Sequence, residues 1–390
     1  MARMTTAKSC ATGRESASDA ALEFDKKNQK ISISCYHNEV PFFIGQELDA
    51  LYASLYSSMI QFVLNGAIDG ARTHVARKRW AILVIFLFRR ESRKIQVINE
   101  VIHIDAEEIE RFTIYIFSVF TSVSVISFHS IETNLRTLPR AFQRFNYLEG
   151  IVLGLPGASG EYHASLGKAT RTHMKQYLKR LARDFPSFRC EIRTGTETDE
   201  AQVREIVALN KVRRAAKNKG ASISDQKTQR IVARAKACGL VGMATIDGRI
   251  CAGAITYRTG DNYFLGVLAH DSALNHYSPG ILCCYLTICA CIERKSQEFH
   301  FLWDHYEYKY RFGGVRRDLD KVTVYRSAPH CVLNGDLVLK NASDGYARRI
   351  LLRLQDARRQ NHLVARLLIN PARRLRILLC QGLPWTGIRN

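Results

Sequence analysis

The sequence predicts a mixed α/β fold (α+β, built on a mixed sheet) in two domains, and three observations predict it. Segments with the two-residue alternation of half-buried strands and segments with helical apolar spacing succeed one another along the chain. Asp247-Gly248 separates Leu240–Ile246 from Ile250–Arg258 and is a dipeptide that favours a two-residue hairpin turn. The run Ile281–Ile292 lacks a polar face, as a helix buried on all sides does, and the strand-like Phe299–Trp303 follows it.

Residues 1–30 are rich in Ala, Ser, Thr and charge without periodicity and are expected to be a disordered lead. A first domain is expected over 31–160. Ile31–Tyr36 alternates as a strand, and Leu48, Leu51, Leu55, Met59 and Val63 make a helical stripe over Leu48–Leu64. Trp80–Phe88 reads as a buried strand with Lys94–Ile104 as its hairpin partner. Ala106–Phe117 reads as a helix capped by Asp105, with Glu107 and Glu108 suited to its first turn. Ser122–Phe128 and Tyr147–Leu155 return to the strand period. A second domain is expected over 161–345: a basic helix Ser165–Asp184 with Leu166, Met174, Leu178 and Leu181 on one side, ended by Pro186; a strand at Arg189–Arg193; helices at Asp199–Ala216 and Ser224–Cys238. The hairpin follows, then Tyr263–Ala269, the apolar helix, its strand, and Lys321–Arg326. Two domains of similar order would be a tandem repeat at a spacing of about 150 residues, too divergent to show as sequence identity.

The chain has 390 residues, 46% hydrophobic and 24% charged, enough for two globular cores. Its net charge of +21 calls for an acidic partner, and coenzyme A, a nucleotide-sugar-derived lipid, RNA and an anionic membrane all qualify. Eleven cysteines without a CxxC pair argue against a disulfide framework or a zinc site, and no metal is expected. Met1–Lys30 lacks the apolar core of a secretory signal, Trp80–Phe88 is too short to span a bilayer, and Ile114–Phe128 is interrupted by Ser and Thr. The expectation is a cytoplasmic protein. Tyr346–Asn390 holds ten Arg and one acid, Asp356, beside Leu351, Leu352, Leu354, Leu363, Leu367 and Leu368. Such a basic amphipathic segment suits either a helix docked on its own domain or peripheral contact with the inner face of an anionic membrane.

Tyr277-Ser-Pro-Gly280 opens the apolar helix, and Asp304-His-Tyr-Glu-Tyr-Lys-Tyr-Arg-Phe-Gly313 follows its strand. Pro at a first helical turn, beside Ser and Gly, leaves backbone donors able to hold an anion. With Tyr308-Lys309, Phe312-Gly313, Leu153-Gly-Leu-Pro-Gly157 and the basic helix from Tyr162 to Leu181, this unit resembles the GNAT acyltransferase superfamily. The closer resemblance is to its CelD-like branch of cellulose and exopolysaccharide biosynthesis, over roughly Ile31–Ser327. The chain departs from the family's acidic pair before Tyr-Lys by carrying His305, Tyr306 and Glu307.

The resemblance implies tandem GNAT-like domains, the C-terminal one carrying an acyl-CoA site and the N-terminal one degenerate. Ser278, Pro279, Gly280 and Ile281 would form the pyrophosphate-holding helix start. Backbone N–H groups along Phe264–Ala269, Leu268 among them, would polarise the thioester carbonyl. Tyr308 would protonate the departing thiolate, with Tyr306 and Tyr310 as rivals. Lys309 would hold a phosphate or an anionic acceptor, or pair with Asp304 or Glu307. Asp304, His305, Glu307 and His270 are all open as general base, His270 and Asp304 because each follows a strand end. The basic helix face suits a polyanion or plain solvation.

The expected function is therefore acyl transfer, acetyl-CoA being the simplest donor, to a sugar amine or hydroxyl in polysaccharide biosynthesis. A Fem-like transferase using aminoacyl-tRNA is a second reading, favoured by the basic charge, although no long helical-hairpin insertion is visible. A non-catalytic, membrane-associated adaptor acting through Tyr346–Asn390 is a third.

Overall fold

The computed structural model describes residues 24–25, 30–216 and 223–359. In chain order the elements are β1 (Phe24–Asp25), β2 (Lys30–Tyr36), α1 (Ile44–Tyr52), α2 (Met59–Leu64), β3 (Arg72–Lys78), β4 (Ala81–Glu91), β5 (Lys94–Val97) and β6 (Ile102–His103). Next come α3 (Ala106–Val119), β7 (Val125–Glu132), β8 (Phe142–Gly154), α4 (Ser159–Ser165), α5 (Lys168–Asp184), β9 (Arg189–Thr194), α6 (Glu200–Ala216) and α7 (Asp225–Cys238). The chain continues through β10 (Gly239–Ile246), β11 (Arg249–Thr259), β12 (Asn262–His270), α8 (Pro279–Glu293), β13 (Glu298–Leu302) and α9 (Glu307–Arg311). It reaches β14 (Val315–Tyr325), α10 (Ala328–Leu333) and α11 (Gly335–Arg359).

These elements form two compact units that exchange segments. Unit 1 holds the described residues up to Tyr52, then Asn65–Leu148, then those from Asp318 on; unit 2 holds Ala53–Leu64 and Glu149–Arg317. The boundaries expected from sequence, 31–160 and 161–345, differ from this division at both ends. β14 pairs with β7 of unit 1, Val322 opposite Phe128, which draws Asp318 onward out of the second domain. Asn262 Nδ2 holds the carbonyl of Ala53 at 3.1 Å within unit 2, which draws that segment out of the first.

Each unit nonetheless repeats one plan. In unit 1, β3, β4 and β5 form an antiparallel meander, α3 crosses over, and β7 returns parallel to β5. In unit 2, β10, β11 and β12 form the meander, α8 crosses over, and β13 returns parallel to β12. Strand order is β1-β2-β3-β4-β5-β7-β14-β8 in the first and β8-β13-β12-β11-β10-β9 in the second, β8 giving its start to one and its end to the other.

The core of unit 1 is aromatic: Phe112 of α3 packs edge-on to Phe86 at 4.8 Å and to Phe128 at 5.8 Å. In unit 2, α8 has no polar face because it is buried along its length, including Leu282, Cys283, Cys284, Thr287, Ile288 and Cys291. Gly242 of β10 makes room for it, since a Cβ there would stand 2.3 Å from Thr287 Oγ1. On β11, a Cβ at Gly253 would meet the Ile206 side chain of α6 at 2.5 Å. All nine cysteines among the described residues are free.

Several sequence expectations are corrected by packing. The stripe Leu48–Leu64 is two helices and a 3-10 turn. The Tyr52 hydroxyl is held by both the carbonyl (3.0 Å) and the N–H (3.1 Å) of Ile85, and Ala53 then turns left-handed at φ 44°. Lys94–Ile104 is two short strands, β5 and β6. Asp105 stands at the start of α3 but makes no side-chain cap; Asn134 Oδ1 takes the Ala106 N–H at 2.8 Å, and Asp105 accepts from Asn134 Nδ2 at 3.0 Å. In α5, Leu178 is exposed rather than lining the core. The C-terminal helix begins at Gly335, not Tyr346; residues 360–390, like most of the expected N-terminal lead, lie outside the described residues.

Candidate active site

β12 and β13 run parallel but are paired only at Asn262↔Glu298, Tyr263↔Phe299 and Phe264↔His300. β12 continues to His270 while β13 ends at Leu302. Each strand carries an irregularity where they part. Gly266 is an extra residue in β12, since pairing with β11 passes from Leu265↔Thr256 to Val267↔Ile255; Phe301 is an extra residue in β13 against β8. A bulge bends a strand and sharpens its twist. Position 266 must be glycine, because a Cβ would lie 2.2 Å from the Tyr257 ring.

The bent end of β12 is braced from outside. Asn210 Nδ2 and Arg213 Nη2, both on α6, donate to the carbonyl of Leu268 at 3.0 and 2.9 Å. Neither residue was singled out in the sequence. Three positions apart, they share a helix face, but nothing local says which carbonyl that face meets.

α8 starts against the same strand end. A Cβ at Gly280 would stand 2.9 Å from His270 Nδ1 and 3.3 Å from the Ala269 carbonyl oxygen. Ser278 enters the helix in the left-handed region (φ 51°, ψ 44°), and Pro279 follows. Of the four residues expected to hold an anion, Pro279 has no N–H, Ser278 N–H bonds Asn275 O, and Ile281 N–H bonds Ser278 O. The Gly280 N–H has no backbone partner among the described residues, and the first turn holds no acid. One open donor at the positive end of a buried helix is suited to a phosphate oxygen. His270 joins this group, its Nε2 2.8 Å from Asn275 Oδ1.

The other three predicted catalytic residues gather past the end of β13. Leu302 and Asp304 are left-handed (φ 57° and 69°) and turn the chain into α9. Lys309 is buried, 3% exposed, and its ammonium donates to the carbonyls of Phe301, at 2.7 Å, and Trp303. Burial pulls its pKa down to about 8, partly opposed by the negative charge of Asp304. Its hydrogen bonds thus go to the strand end, and Glu307 pairs with Arg311 instead.

Tyr308 packs edge-on to Phe301 and Phe312, and its hydroxyl makes no hydrogen bond among the described residues. Burial raises its pKa well above the ordinary phenol range; Cys284 adds to the shift and Arg213 opposes it. A phenol kept protonated can donate a proton when a stronger base appears beside it. Tyr310 faces elsewhere, to His305 and Glu149.

Splayed parallel strands, a bulged β12 and a glycine-bearing helix start at the parting define a GNAT-like fold. Residues 168–310 match the family described as acetyltransferase (GNAT) domain. No curated protein matches the chain. Among solved structures, FemX is similar at 9% identity, covering 76% of this chain and 98% of its own, with a TM-score of 0.56. A conserved protein of unknown function from Bacteroides thetaiotaomicron VPI-5482 is similar at 10% identity, covering 74% and 98%, with a TM-score of 0.51. No helix among the described residues is long and apolar enough to cross a membrane.

Proposed function

We propose that the protein transfers an acyl group, acetyl in the simplest case, from coenzyme A to an amine or hydroxyl of a sugar, in the making or modification of an exopolysaccharide of cellulose type. The observation that carries this reading is the Gly280 N–H, open at the start of α8 and set against the end of β12 where β13 leaves it. In this reading the pyrophosphate binds at Gly280 and the pantetheine arm lies along β12 from Leu265 to His270. The thioester then reaches the end of β13, where Tyr308 protonates the leaving thiolate.

Unit 1 supports the assignment by contrast. There β6 follows β5 along β7, Ile102 opposite Ile131, so the parting of the parallel strands is closed. Its crossover helix α3 also opens with Glu107 and Glu108, which repel a pyrophosphate. The acyl-CoA site is assigned to unit 2 alone.

A second reading, transfer from aminoacyl-tRNA, draws on the likeness to FemX and on the basic residues Lys168, Arg171, Lys175, Lys179, Arg180 and Arg183 of α5. The test is a thermal-shift series with acetyl-CoA, longer acyl-CoAs and total tRNA, since a ligand of the native state raises its melting temperature. Stabilisation by an acyl-CoA alone supports the first reading. Stabilisation by tRNA alone replaces it with the second. No shift with either leaves the membrane adaptor, which binding to anionic vesicles would support.

A further inference from the structure

Glu149, His305 and Tyr310 form a hydrogen-bonded chain that the proposed function leaves unused. The Tyr310 hydroxyl oxygen is 2.5 Å from His305 Nδ1, and His305 Nε2 is 2.6 Å from Glu149 Oε2. The two rings are nearly parallel, 9° apart. Burial deepens along the chain: the His305 side chain keeps 21% exposure and that of Glu149 only 1%. The other oxygen of Glu149 faces Arg316 at 3.7 Å, and Asp304 precedes His305 in the chain.

The position of this chain gives it meaning. Glu149 lies in β8 just before Ile151, the partner of Leu302, so it is fixed beside the last residue of β13. Tyr308 and Tyr310 are two apart on α9 and therefore face opposite sides. Tyr310 turns towards His305 and, through it, Glu149 of β8, whereas Tyr308 packs edge-on to Phe301 of β13 and to Phe312. Two phenols thus leave α9 on opposite sides beside the end of β13.

Resting on the acyl-transfer reading, the geometry points to Tyr310 as the residue that takes the proton from the acceptor, with His305 storing that proton and Glu149 positioning His305. At rest the Tyr310 hydroxyl donates to Nδ1, and Nε2–H donates to the Glu149 carboxylate. When the acceptor nitrogen or oxygen attacks the thioester carbonyl, its proton passes to Tyr310 Oη as the proton of Tyr310 passes to Nδ1. The new acyl C–N or C–O bond forms, the C–S bond breaks, and the thiolate takes the proton of Tyr308. The imidazolium left on His305 lies against Glu149, a charge-assisted pair in the manner of a hydrolase triad. Its extra proton returns to Tyr308 through solvent, and the cycle balances.

The test compares two acceptors with the full chain and acetyl-CoA, reading CoA release. Both acceptors react as the free amine and lose a proton as they attack, but the adduct of hydroxylamine, a weakly basic amine, gives its proton to water far more readily than that of glucosamine. Tyr310→Phe, which keeps the ring, and His305→Gln should lower glucosamine-dependent release on the order of 10²-fold through kcat. The loss with hydroxylamine should be at least tenfold smaller, and the Kd for acetyl-CoA should stay within about threefold of the unaltered protein. Glu149→Gln should lie between, again in kcat and not KM. Equal losses with both acceptors would make the chain structural, and no loss with either would make it idle. Transfer by the unaltered protein to hydroxylamine but never to glucosamine would also overturn the proposal. Failure to bind acetyl-CoA at all would instead overturn the acyltransferase reading on which it rests.

Discussion

The ammonium of Lys309 donates to the carbonyl of Phe301 at 2.7 Å and also holds the carbonyl of Trp303, so one side chain closes both acceptors that the end of β13 leaves open. Sequence reasoning offered Lys309 as a hold for a phosphate or an acceptor, and the geometry makes it a brace for the strand end. Lys309→Met should therefore act first on stability. A buried and a half-buried carbonyl lose their donor, at about 1–3 kcal/mol each, so urea unfolding should show a loss of about 2–6 kcal/mol. A variant as stable as the parent, with a raised KM for the acceptor, would restore the anion-holding role.

Tyr308→Phe removes one hydroxyl from a ring held by Phe301 and Phe312. If that hydroxyl protonates the thiolate, kcat should fall on the order of 10²-fold while acetyl-CoA affinity stays within about twofold, measured by steady-state kinetics and calorimetry. An unchanged kcat would mean that water protonates the thiolate.

Gly280 allows two effects to be separated. Gly280→Ala crowds His270 and Ala269 without adding charge, and Gly280→Asp adds a carboxylate at the same place. Acetyl-CoA affinity should fall at least tenfold with Asp, about 1.4 kcal/mol, and less with Ala. Equal losses in calorimetry would show that space and not charge matters there, and no loss in either variant would move the pyrophosphate elsewhere.

Glu100 of unit 1 is buried, and burial pushes its pKa from 4.5 up to about 8. The native state holds a proton that the unfolded chain has released. Its contribution is fully present below about pH 4.5 and is lost as pH rises through about 8. Glu100→Gln should raise the melting temperature by roughly 5 °C at pH 8 and by little at pH 4.5, in a pH series of thermal melts. A gain that does not grow with pH would mean that Glu100 is charged in the native state.

The vesicle question needs a cut placed by the structure. Ending the chain at Asp344, as the composition change suggests, would split α11 and remove the buried Leu351. It would also sever Asn341, which bonds Gln143, Thr323 and Lys321, from the rest of its helix. A chain ending at Arg359 should stay folded and keep its acetyl-CoA affinity. Loss of its sedimentation with anionic vesicles at low salt would assign membrane contact to 360–390; sedimentation equal to the full chain would exclude it.

What the sequence made legible follows from the range of each signal. The apolar run of α8, the Asp247-Gly248 hairpin (φ 50° and 74°) and the strand β13 were readable because each is written in adjacent residues. The repeated order followed from those segments, and the GNAT expectation came from the resemblance of the Tyr277–Gly280 and Tyr308–Gly313 motifs. β3 was missed: Arg72-Thr-His-Val-Ala-Arg-Lys78 is polar at both ends, and its His74 is fully buried against Phe86 and Phe112. At the candidate site, Tyr308, Asp304 and Gly280 were singled out because local motifs carry them. The pairing of His305 with Glu149 and the grip of Asn210 and Arg213 on Leu268 join residues with no sequence relation. Lys309 was singled out too, yet its partners are backbone carbonyls, which no side-chain pattern announces.

The exchanged segments set an order on synthesis. Everything in unit 2 has left the ribosome once Arg317 emerges, whereas unit 1 still waits for β14 to cover β7. The unit that begins the chain is therefore the one that closes last, and until then an open strand edge of the nascent protein faces its surroundings. A ribosome that stalls just past Arg317 releases a chain whose second unit is whole and whose first is unfinished, a product suited to capture by chaperones or to aggregation.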